Sequence, residues 1–157
     1  MKVTFTVNGV ERHAESPPGA SLMDVLRGMG LTSVKNGCDN GDCGSCAVLL
    51  NGRAVNACLV FAARCEGAEI GTLEGMAAEG ALHALQAAML ASGAVQCGFC
   101  TPGIVMMAAD LLEHTPSPTN QQIDEAMAGN FCRCTGYTKP REAIRAAAEM
   151  LKEASGD

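Results

Sequence analysis

The chain has 157 residues, of which 48% are hydrophobic and 18% are charged, so it can bury the core of one domain or of two small ones. Its formal net charge of −6 at pH 7 argues against nucleic acid as a partner. The sequence has no run of about 18 apolar residues for a membrane span and no apolar signal segment near its start, so we expect a soluble, cytoplasmic protein without membrane contact.

The first half of the chain is predicted to be rich in β-structure. Apolar residues that alternate with polar ones, and two Asn-Gly turns, predict two hairpins and a last strand. Helical spacing predicts one short helix that Ser21 caps and Gly30 ends. This order of elements favours a β-grasp arrangement. The predicted segments are Lys2–Val7, Val10–Glu15, a helix through Leu22, Val25, Leu26 and Met29, then Ala47–Leu50, Arg53–Leu59 and Glu69–Leu73.

The second half is predicted to be helical. Four short helices favour a four-helix bundle, which makes the whole chain an α+β protein. The boundary is expected within Glu74–Gly80, where no apolar periodicity is visible, and gives domains at 1–76 and 77–157. The predicted helices are Ala81–Ala91, Pro102–Glu113, one that begins near Thr119 or Asn120, and Lys139–Lys152.

Nine cysteines are unusual in a chain expected to be cytoplasmic, where clustered thiols more often hold metal than form disulfides. Three lie in the stretch GCDNGDCGSC, with the C-x4-C-x2-C spacing of plant-type [2Fe–2S] ferredoxins. Glycines there let backbone N–H groups approach the sulfurs closely. The stretch predicts a cluster held by Cys38, Cys43, Cys46 and, after the second hairpin, Cys58, in a loop shaped by Gly37, Gly41 and Gly44.

A second set of cysteines lies in the helical half, as a C-x2-C pair and a C-x-C pair that each precede a threonine and a predicted helix. We expect Thr101 to be the N-cap of one helix, with Pro102 at its first position, and Thr135 to cap the last helix. Helix N-termini stabilise thiolates, because their free N–H groups and the helix dipole favour negative charge. The second predicted cluster is held by Cys97, Cys100, Cys132 and Cys134.

Zinc is the main alternative, because it also binds four thiolates. It is disfavoured for the first set, but spacing alone leaves the second set open between zinc and iron. Disulfides are disfavoured by the absence of a secretory signal. The ninth cysteine, Cys65, is expected to be a buried structural thiol. The histidines are expected to be surface or core residues and not ligands; they are His13, His83 and His114.

Three longer motifs, VKNGCDNGDCGSCAVLLNG, AVQCGFCTPGIVM and GNFCRCTGY, together resemble the small iron–sulfur subunit of the molybdenum hydroxylases, the group of xanthine dehydrogenase, aldehyde oxidoreductase and carbon monoxide dehydrogenase. The resemblance runs from about Val3 to Leu151. It implies a plant-ferredoxin-like domain and a four-helix domain with one [2Fe–2S] cluster each, and it favours iron–sulfur at the second set. Ser45 and Pro140 depart from the family pattern, but neither position is a ligand.

The resemblance also implies partners. Such subunits pair with a large subunit that carries molybdopterin and molybdenum, and usually with a medium subunit that binds FAD, in a complex that can be a dimer of heterotrimers. In the family, the positions of Gln96 and Cys134 lie against the pterin. Electrons pass from molybdenum through the C-terminal cluster and then the N-terminal cluster to FAD. Arg133 is left without a role, and the substrate is chosen by the large subunit.

We therefore predict an electron-transfer subunit without a substrate site of its own. The alternative is a free-standing two-cluster ferredoxin that serves several partners. Nine methionines and alanine- and leucine-rich helices favour an apolar surface for a permanent partner, although core packing explains many of these residues equally well. The second cysteine set is expected in the most apolar region of the chain, and the acidic loop Cys38–Cys46 in a wetter position.

Overall fold

The computed structural model describes residues 1–77 and 80–156, and its α+β architecture confirms the predicted class. A mixed sheet with strand order β2-β1-β5-β3-β4 occupies the first half, and most of the helices follow it. The elements are β1 (Lys2–Val7), β2 (Val10–Glu15), α1 (Leu22–Gly28), β3 (Ala47–Leu50), β4 (Arg53–Asn56), β5 (Glu69–Gly71), α2 (Ala84–Ala91), α3 (Thr101–His114), α4 (Asn120–Met127) and α5 (Thr138–Ser155).

Two antiparallel hairpins build the sheet, as the sequence predicts. β1 pairs with β2, and β3 pairs with β4, across Asn8-Gly9 and Asn51-Gly52, whose φ angles are all positive. A type I′ turn requires this conformation at both positions, and asparagine and glycine adopt it at low cost. β5 then joins the hairpins, because it runs parallel to β1 and antiparallel to β3.

The first hydrophobic core lies between the sheet and α1. Ser21 caps α1 by accepting a hydrogen bond of 3.1 Å from the N–H of Asp24, and the apolar face of the helix then packs on the sheet. Alternate residues of β1 supply the opposing surface. The large side chains of this core are Val3, Phe5, Val7, Leu22, Met23, Leu26, Val48 and Ile70.

Helices α2 to α5 enclose a second hydrophobic core. Two of them begin with a capping box: His83 and Gln86 close the start of α2, and Thr119 and Gln122 close the start of α4. These caps hold short helices at fixed ends, so that their apolar faces meet. The core comprises Leu85, Met89, Ile104, Val105, Ala108, Leu112, Ile123, Met127, Ala143, Ile144 and Ala147, among others.

Two predicted helix caps are wrong. Cys100 is the N-cap of α3, so Thr101 is the first helical residue and Pro102 the second. Proline is still tolerated there, because the N–H groups of the first turn have no partner within the helix. Tyr137, in the left-handed conformation at φ 66°, precedes α5, so Thr135 is not its N-cap. Both helices therefore begin without a side-chain cap, at the loops that carry the second cysteine set.

Some predicted ends also differ. β4 stops at Asn56 and β5 at Gly71, because each strand is followed by a single 3₁₀ turn, Ala57–Leu59 and Leu73–Gly75. α2 begins at Ala84, three residues later than predicted, because His83 caps it.

The nine methionines are divided between the core and the surface. Four of them are buried in the described structure: Met23, Met89, Met106 and Met127. The large exposed apolar side chains are instead mainly leucine and phenylalanine, among them Leu59, Phe61, Leu90, Phe99 and Phe131. Core packing therefore accounts for these four methionines, while leucine, phenylalanine and the exposed Met1 and Met150 supply most of the apolar surface.

The turn Leu73–Gly75 connects the two halves. Thr72 donates its N–H to Asn8 at 2.8 Å, and the Glu74 carboxylate accepts from the N–H of Ser33 at 2.9 Å. Leu73 and Met76 then pack against the second core, so the chain passes between the cores within a few residues.

The predicted boundary Glu74–Gly80 includes positions 78 and 79, which lie outside the described residues. No helix in the described ranges is long and apolar enough to cross a membrane.

Candidate iron–sulfur centres

The first cysteine set gathers at one end of the sheet. β3 and β4 are antiparallel, and Ala47 pairs with Asn56, so the start of β3 and the end of β4 lie side by side. Cys46 immediately precedes β3, and Cys58 lies in the turn after β4. The loop between α1 and β3 brings in Cys38 and Cys43. Cys46 is buried and the other three are half-buried.

The sulfurs of this set interact in two pairs. The side chain of Cys38 is next to that of Cys43, and the side chain of Cys46 is next to that of Cys58. The N–H of Asn40, helped by that of Cys43 at 3.4 Å, lowers the pKa of Cys38 to about 7. Burial raises the pKa of Cys46 to about 12, so its thiolate requires a nearby positive charge such as iron.

The glycines shape this loop but are not the main hydrogen-bond donors to Cys38, which are Asn40 and Cys43. A Cβ on Gly37 would lie 2.9 Å from the sulfur of Cys43. One on Gly41, where φ is +87°, would overlap the Leu59 side chain. The predicted need for glycine is therefore explained by close approach and backbone conformation.

The second cysteine set lies between two loops of the helical half. Cys97 and Cys100 precede α3, and Cys132 and Cys134 lie in the loop between α4 and α5. Cys100 and Cys132 are buried, but Cys97 and Cys134 are exposed. One edge of the second set, at Cys97 and Cys134, is therefore open at the surface of the chain.

These four sulfurs also interact in two pairs. The side chain of Cys100 is next to that of Cys132, and the side chain of Cys134 is next to that of Cys97. Burial, together with the neighbouring Cys132 thiol, raises the pKa of Cys100 to about 12. The hydrogen bond with Cys97 raises the pKa of Cys134. As in the first set, a positive charge is required before all four thiols become thiolates.

Cys132 is the exception in this set. Burial acts to raise its pKa, but hydrogen bonds from the hydroxyl and N–H of Thr135 outweigh burial and lower the pKa of Cys132 to about 7. The Cys132 sulfur lies 3.0 Å from the Thr135 hydroxyl oxygen. The N–H of Cys132 donates to the hydroxyl of Tyr137 at 2.8 Å, and the N–H of Tyr137 donates to that of Thr135 at 3.2 Å.

The arrangement of thiols in pairs suits a [2Fe–2S] cluster, in which each of two irons takes two cysteine ligands. No three Cys, His, Asp or Glu side chains within 1–77 and 80–156 converge closely enough to hold a single metal ion. The donor chemistry fits two such clusters, because it offers eight thiols, with N–H groups directed at Cys38 and a hydroxyl and an N–H directed at Cys132.

A short polar contact joins the two cysteine sets. The N–H of Phe131 donates to the carbonyl of Cys43 at 2.8 Å, so a first-set cysteine is one hydrogen bond from the residue beside Cys132. The buried Asn130 side chain donates to the carbonyl of Gly44 at 3.0 Å. A Cβ on Gly44 would overlap the carbonyl of Gly129. The two loops are therefore packed backbone to backbone.

A cavity of about 210 Å³ lies where the two loops meet. Its wall includes all four cysteines of the second set together with Cys43 and Gly37 of the first loop. Phe99 and Phe131 stand at its rim with 46% and 59% of their surfaces exposed. Arg133 also lines the cavity and is exposed. Gln96, directly before Cys97, is exposed as well.

The remaining sulfur and imidazole groups lie elsewhere, as predicted. Cys65 is fully buried in the first core, and burial raises the pKa of its thiol. His13 contacts Thr4 and Glu11, and His114 contacts Asp110, while His83 caps α2.

Sequence reasoning missed two site residues. Asn130 gives no signal in the sequence, because its partner Gly44 is far away along the chain. Tyr137 could have been noticed from its place after Gly136, since two successive left-handed residues, at φ 62° and 66°, form a tight loop.

Comparison with known proteins identifies both halves of the chain. Residues 5–73 match the model of the 2Fe-2S iron-sulfur cluster binding domain, and residues 72–145 match that of the [2Fe-2S] binding domain. The two matches follow each other along the chain, and each contains one of the two cysteine sets. They favour iron–sulfur over zinc at the second set, which spacing alone had left open.

Whole-chain relatives agree with these matches. The chain is 46% identical to the nicotinate dehydrogenase small FeS subunit of Eubacterium barkeri, over 95% of this chain and 96% of that protein. It superimposes with a TM-score of 0.93 and 40% identity on quinoline 2-oxidoreductase from Pseudomonas putida 86, covering 98% of this chain and 96% of that chain. It superimposes equally well, at 39% identity over 98% of its length, on 17% of the aldehyde oxidoreductase chain of Desulfovibrio gigas. The chain belongs to the family of small [2Fe–2S] subunits of the molybdenum hydroxylases, and its role in that family is electron transfer.

Proposed function

We propose that the two cysteine sets hold one [2Fe–2S] cluster each, the first bound by Cys38, Cys43, Cys46 and Cys58, and the second by Cys97, Cys100, Cys132 and Cys134. The observation that carries the proposal is the gathering of eight cysteines at two places, one where β3 begins and β4 ends, and the other around the cavity between the two loops. When bound, each cluster supplies a centre that accepts and releases one electron. In this proposal residues 1–76, as a β-grasp domain, serve the first cluster, and residues 77–157, as a four-helix domain, serve the second.

The protein's own residues then have three tasks. The thiolates hold the irons, and N–H groups such as those of Asn40 and Cys43 reduce the net negative charge felt at the sulfurs. The packed loops keep the two sites next to each other, through the contacts of Phe131 with Cys43 and of Asn130 with Gly44. This arrangement favours rapid transfer between neighbouring centres within one rigid unit.

The proposed partners are a large subunit with molybdopterin and molybdenum and a medium subunit with FAD, assembled as a dimer of heterotrimers. In the aldehyde oxidoreductase of D. gigas the matching region is 17% of one long chain, which supports a permanent association over a free-standing ferredoxin. The exposed rim of Phe99 and Phe131 beside the second set is suited to burial against such a subunit. The substrate of the complex depends on the large subunit. We place the complex in the cytoplasm.

Within this complex we propose that Gln96 and Cys134 face the pterin. Both are exposed: Gln96 directly precedes the exposed Cys97, and Cys134 is next to Cys97. Electrons would then enter at the second cluster and leave from the first towards FAD. Exposure of this edge in the isolated chain supports the order, because a partner that covers it would approach the second cluster most closely.

Metal analysis of the native complex tests the proposal. We expect two irons and two acid-labile sulfides for each cluster, hence about four of each per chain, together with co-purifying molybdenum and flavin subunits. Stoichiometric zinc at either set would refute the cluster assignment. A chain that purifies alone with full iron would instead support the free ferredoxin. In the same complex, Cys134→Ser should alter the magnetic splitting of the molybdenum(V) signal more than Cys38→Ser does, and the opposite result would reverse the order.

A further inference from the structure

The loop 132–137 contains a hydroxyl group that is aimed at a proposed cluster ligand. The Thr135 oxygen lies 3.0 Å from the sulfur of Cys132, which is buried, while Thr135 itself is half-buried. This distance is short for an O–H···S contact. The hydrogen bond is made by a side chain, and a single substitution can therefore remove it without touching a ligand or the backbone.

The direction of this hydrogen bond follows from the other partner of the hydroxyl. The N–H of Tyr137 donates to the Thr135 oxygen at 3.2 Å and occupies one of its lone pairs. A cysteine that binds iron is a thiolate and has no proton to donate. The proton between Thr135 and Cys132 is therefore the hydroxyl proton, and the contact is a charge-assisted O–H···S⁻ bond.

The surrounding loop holds the hydroxyl in place at a conformational cost. Gly136 and Tyr137 both have left-handed φ angles, which is unfavourable for tyrosine. The hydroxyl of Tyr137 in turn accepts the N–H of Cys132 at 2.8 Å. The backbone N–H of Tyr137 thus binds Thr135, and its side-chain hydroxyl binds Cys132. The strained residue therefore fixes Thr135 against Cys132.

We propose that Thr135 is a positioning residue that raises the reduction potential of the second cluster. The inference rests on the proposed cluster ligands. Gain of one electron makes the cluster and its ligand sulfurs more negative, so a hydroxyl donor stabilises the reduced state more than the oxidised state. In the first set, the Cys38 sulfur accepts hydrogen bonds from the backbone N–H groups of Asn40 and Cys43. A comparable effect of a side-chain hydroxyl is therefore not expected at Cys38.

Redox titration of the holo complex with mediators, followed by EPR of each cluster, tests the proposal. We expect Thr135→Val to lower the potential of the second cluster only. Loss of one charge-assisted hydrogen bond should reduce the ratio of reduced to oxidised cluster at the wild-type midpoint by about tenfold, which equals about 59 mV for a one-electron couple. Thr135→Ser retains a hydroxyl and should restore the potential. Thr138→Val, at the exposed start of α5, is the matched control and should change neither cluster.

Each alternative outcome has a clear meaning. Two irons per chain in the wild-type protein would refute the cluster assignment, and this inference with it. Full iron content with an unchanged second potential in Thr135→Val would refute the inference alone, as would an equal shift in Thr135→Ser. Thr135→Ala serves as a second variant if valine disturbs the loop. Loss of the second cluster in both Thr135→Val and Thr135→Ala would assign Thr135 a structural role and would contradict its proposed effect on the reduction potential.

Discussion

Burial and neighbours, and not residue type, separate the proposed ligands from the structural thiol among the nine cysteines. Cys58 lies in a turn beside Cys46 and has a sulfur partner. Cys65 lies only a few residues later but is fully enclosed by the first core, where its weak hydrogen bond of 3.8 Å goes to the carbonyl of Phe61. We therefore expect Cys58 to be required for a cluster and Cys65 to be required only for packing of the first core.

A matched pair of substitutions tests this difference. Cys65→Ala removes only a small buried sulfur and should cost about 1 kcal/mol of stability while both clusters remain. Cys58→Ala removes a ligand and should abolish the first cluster selectively. Iron content and EPR of each variant distinguish the two results. Retention of both clusters in Cys58→Ala, or loss of one in Cys65→Ala, would show that the fourth ligand of the first set is assigned wrongly.

Most local elements were predictable from the sequence. The Asn-Gly turns and the Ser21 cap were predicted correctly, because each depends on residues only a few positions apart. The N-cap of α3 was predicted one residue too late, because the helix already begins at Thr101 and Cys100 therefore occupies the cap position. The cysteine sets were predicted from spacing, but the contact of Asn130 with Gly44 was not, since it joins distant segments.

The 3₁₀ turn Leu73–Gly75 is an element held by one carboxylate. Burial acts to raise the pKa of Glu74, but hydrogen bonds from the Ser33 hydroxyl and N–H and from the Thr72 hydroxyl lower the pKa overall. A carboxyl group whose folded pKa is depressed stabilises the fold above its unfolded pKa. That stabilisation is lost as the pH falls through the folded pKa.

We therefore expect Glu74→Gln to lower the urea denaturation midpoint at pH 7. The loss should be about 1 kcal/mol, because solvent screens a side chain that is partly exposed. The difference in denaturation midpoint between the variant and wild type should shrink as the pH is lowered below about 4.5, the ordinary pKa of a glutamate side chain. Glu69→Gln, at an exposed position on β5, serves as the control and should have little effect at any pH. A difference that grew on acidification would contradict the direction assigned to Glu74.

At the scale of the whole molecule, the two halves meet through backbone groups at the cluster loops. Gly103 lies in the first turn of α3, and a Cβ there would overlap the carbonyl of Gly44 and lie 3.1 Å from the Asn130 amide nitrogen. Ala54 and Arg53 of β4 make a second contact, to the carboxylate of Asp110 on α3. Helix α3 is thus fixed to the first half at two points, Gly103 and Asp110. The contact at Gly103 holds the cluster loops together.

Gly103→Ala tests whether this close approach sets the distance between the clusters. Glycine to alanine in a helix usually stabilises a protein by up to about 1 kcal/mol. At Gly103 the added methyl must separate Gly44 from α3, so we expect a net loss of about 1–3 kcal/mol, as for overpacked cores. Gly28→Ala in α1, where a Cβ meets nothing within 4 Å, is the matched control and should be neutral or stabilising. Separation of the loops should also weaken the magnetic interaction between the two reduced clusters, measured by EPR. Because that interaction depends on distance and not on stability, an unchanged value in a destabilised Gly103→Ala variant would show that other contacts, such as that of Asp110 with Ala54, set the spacing of the clusters.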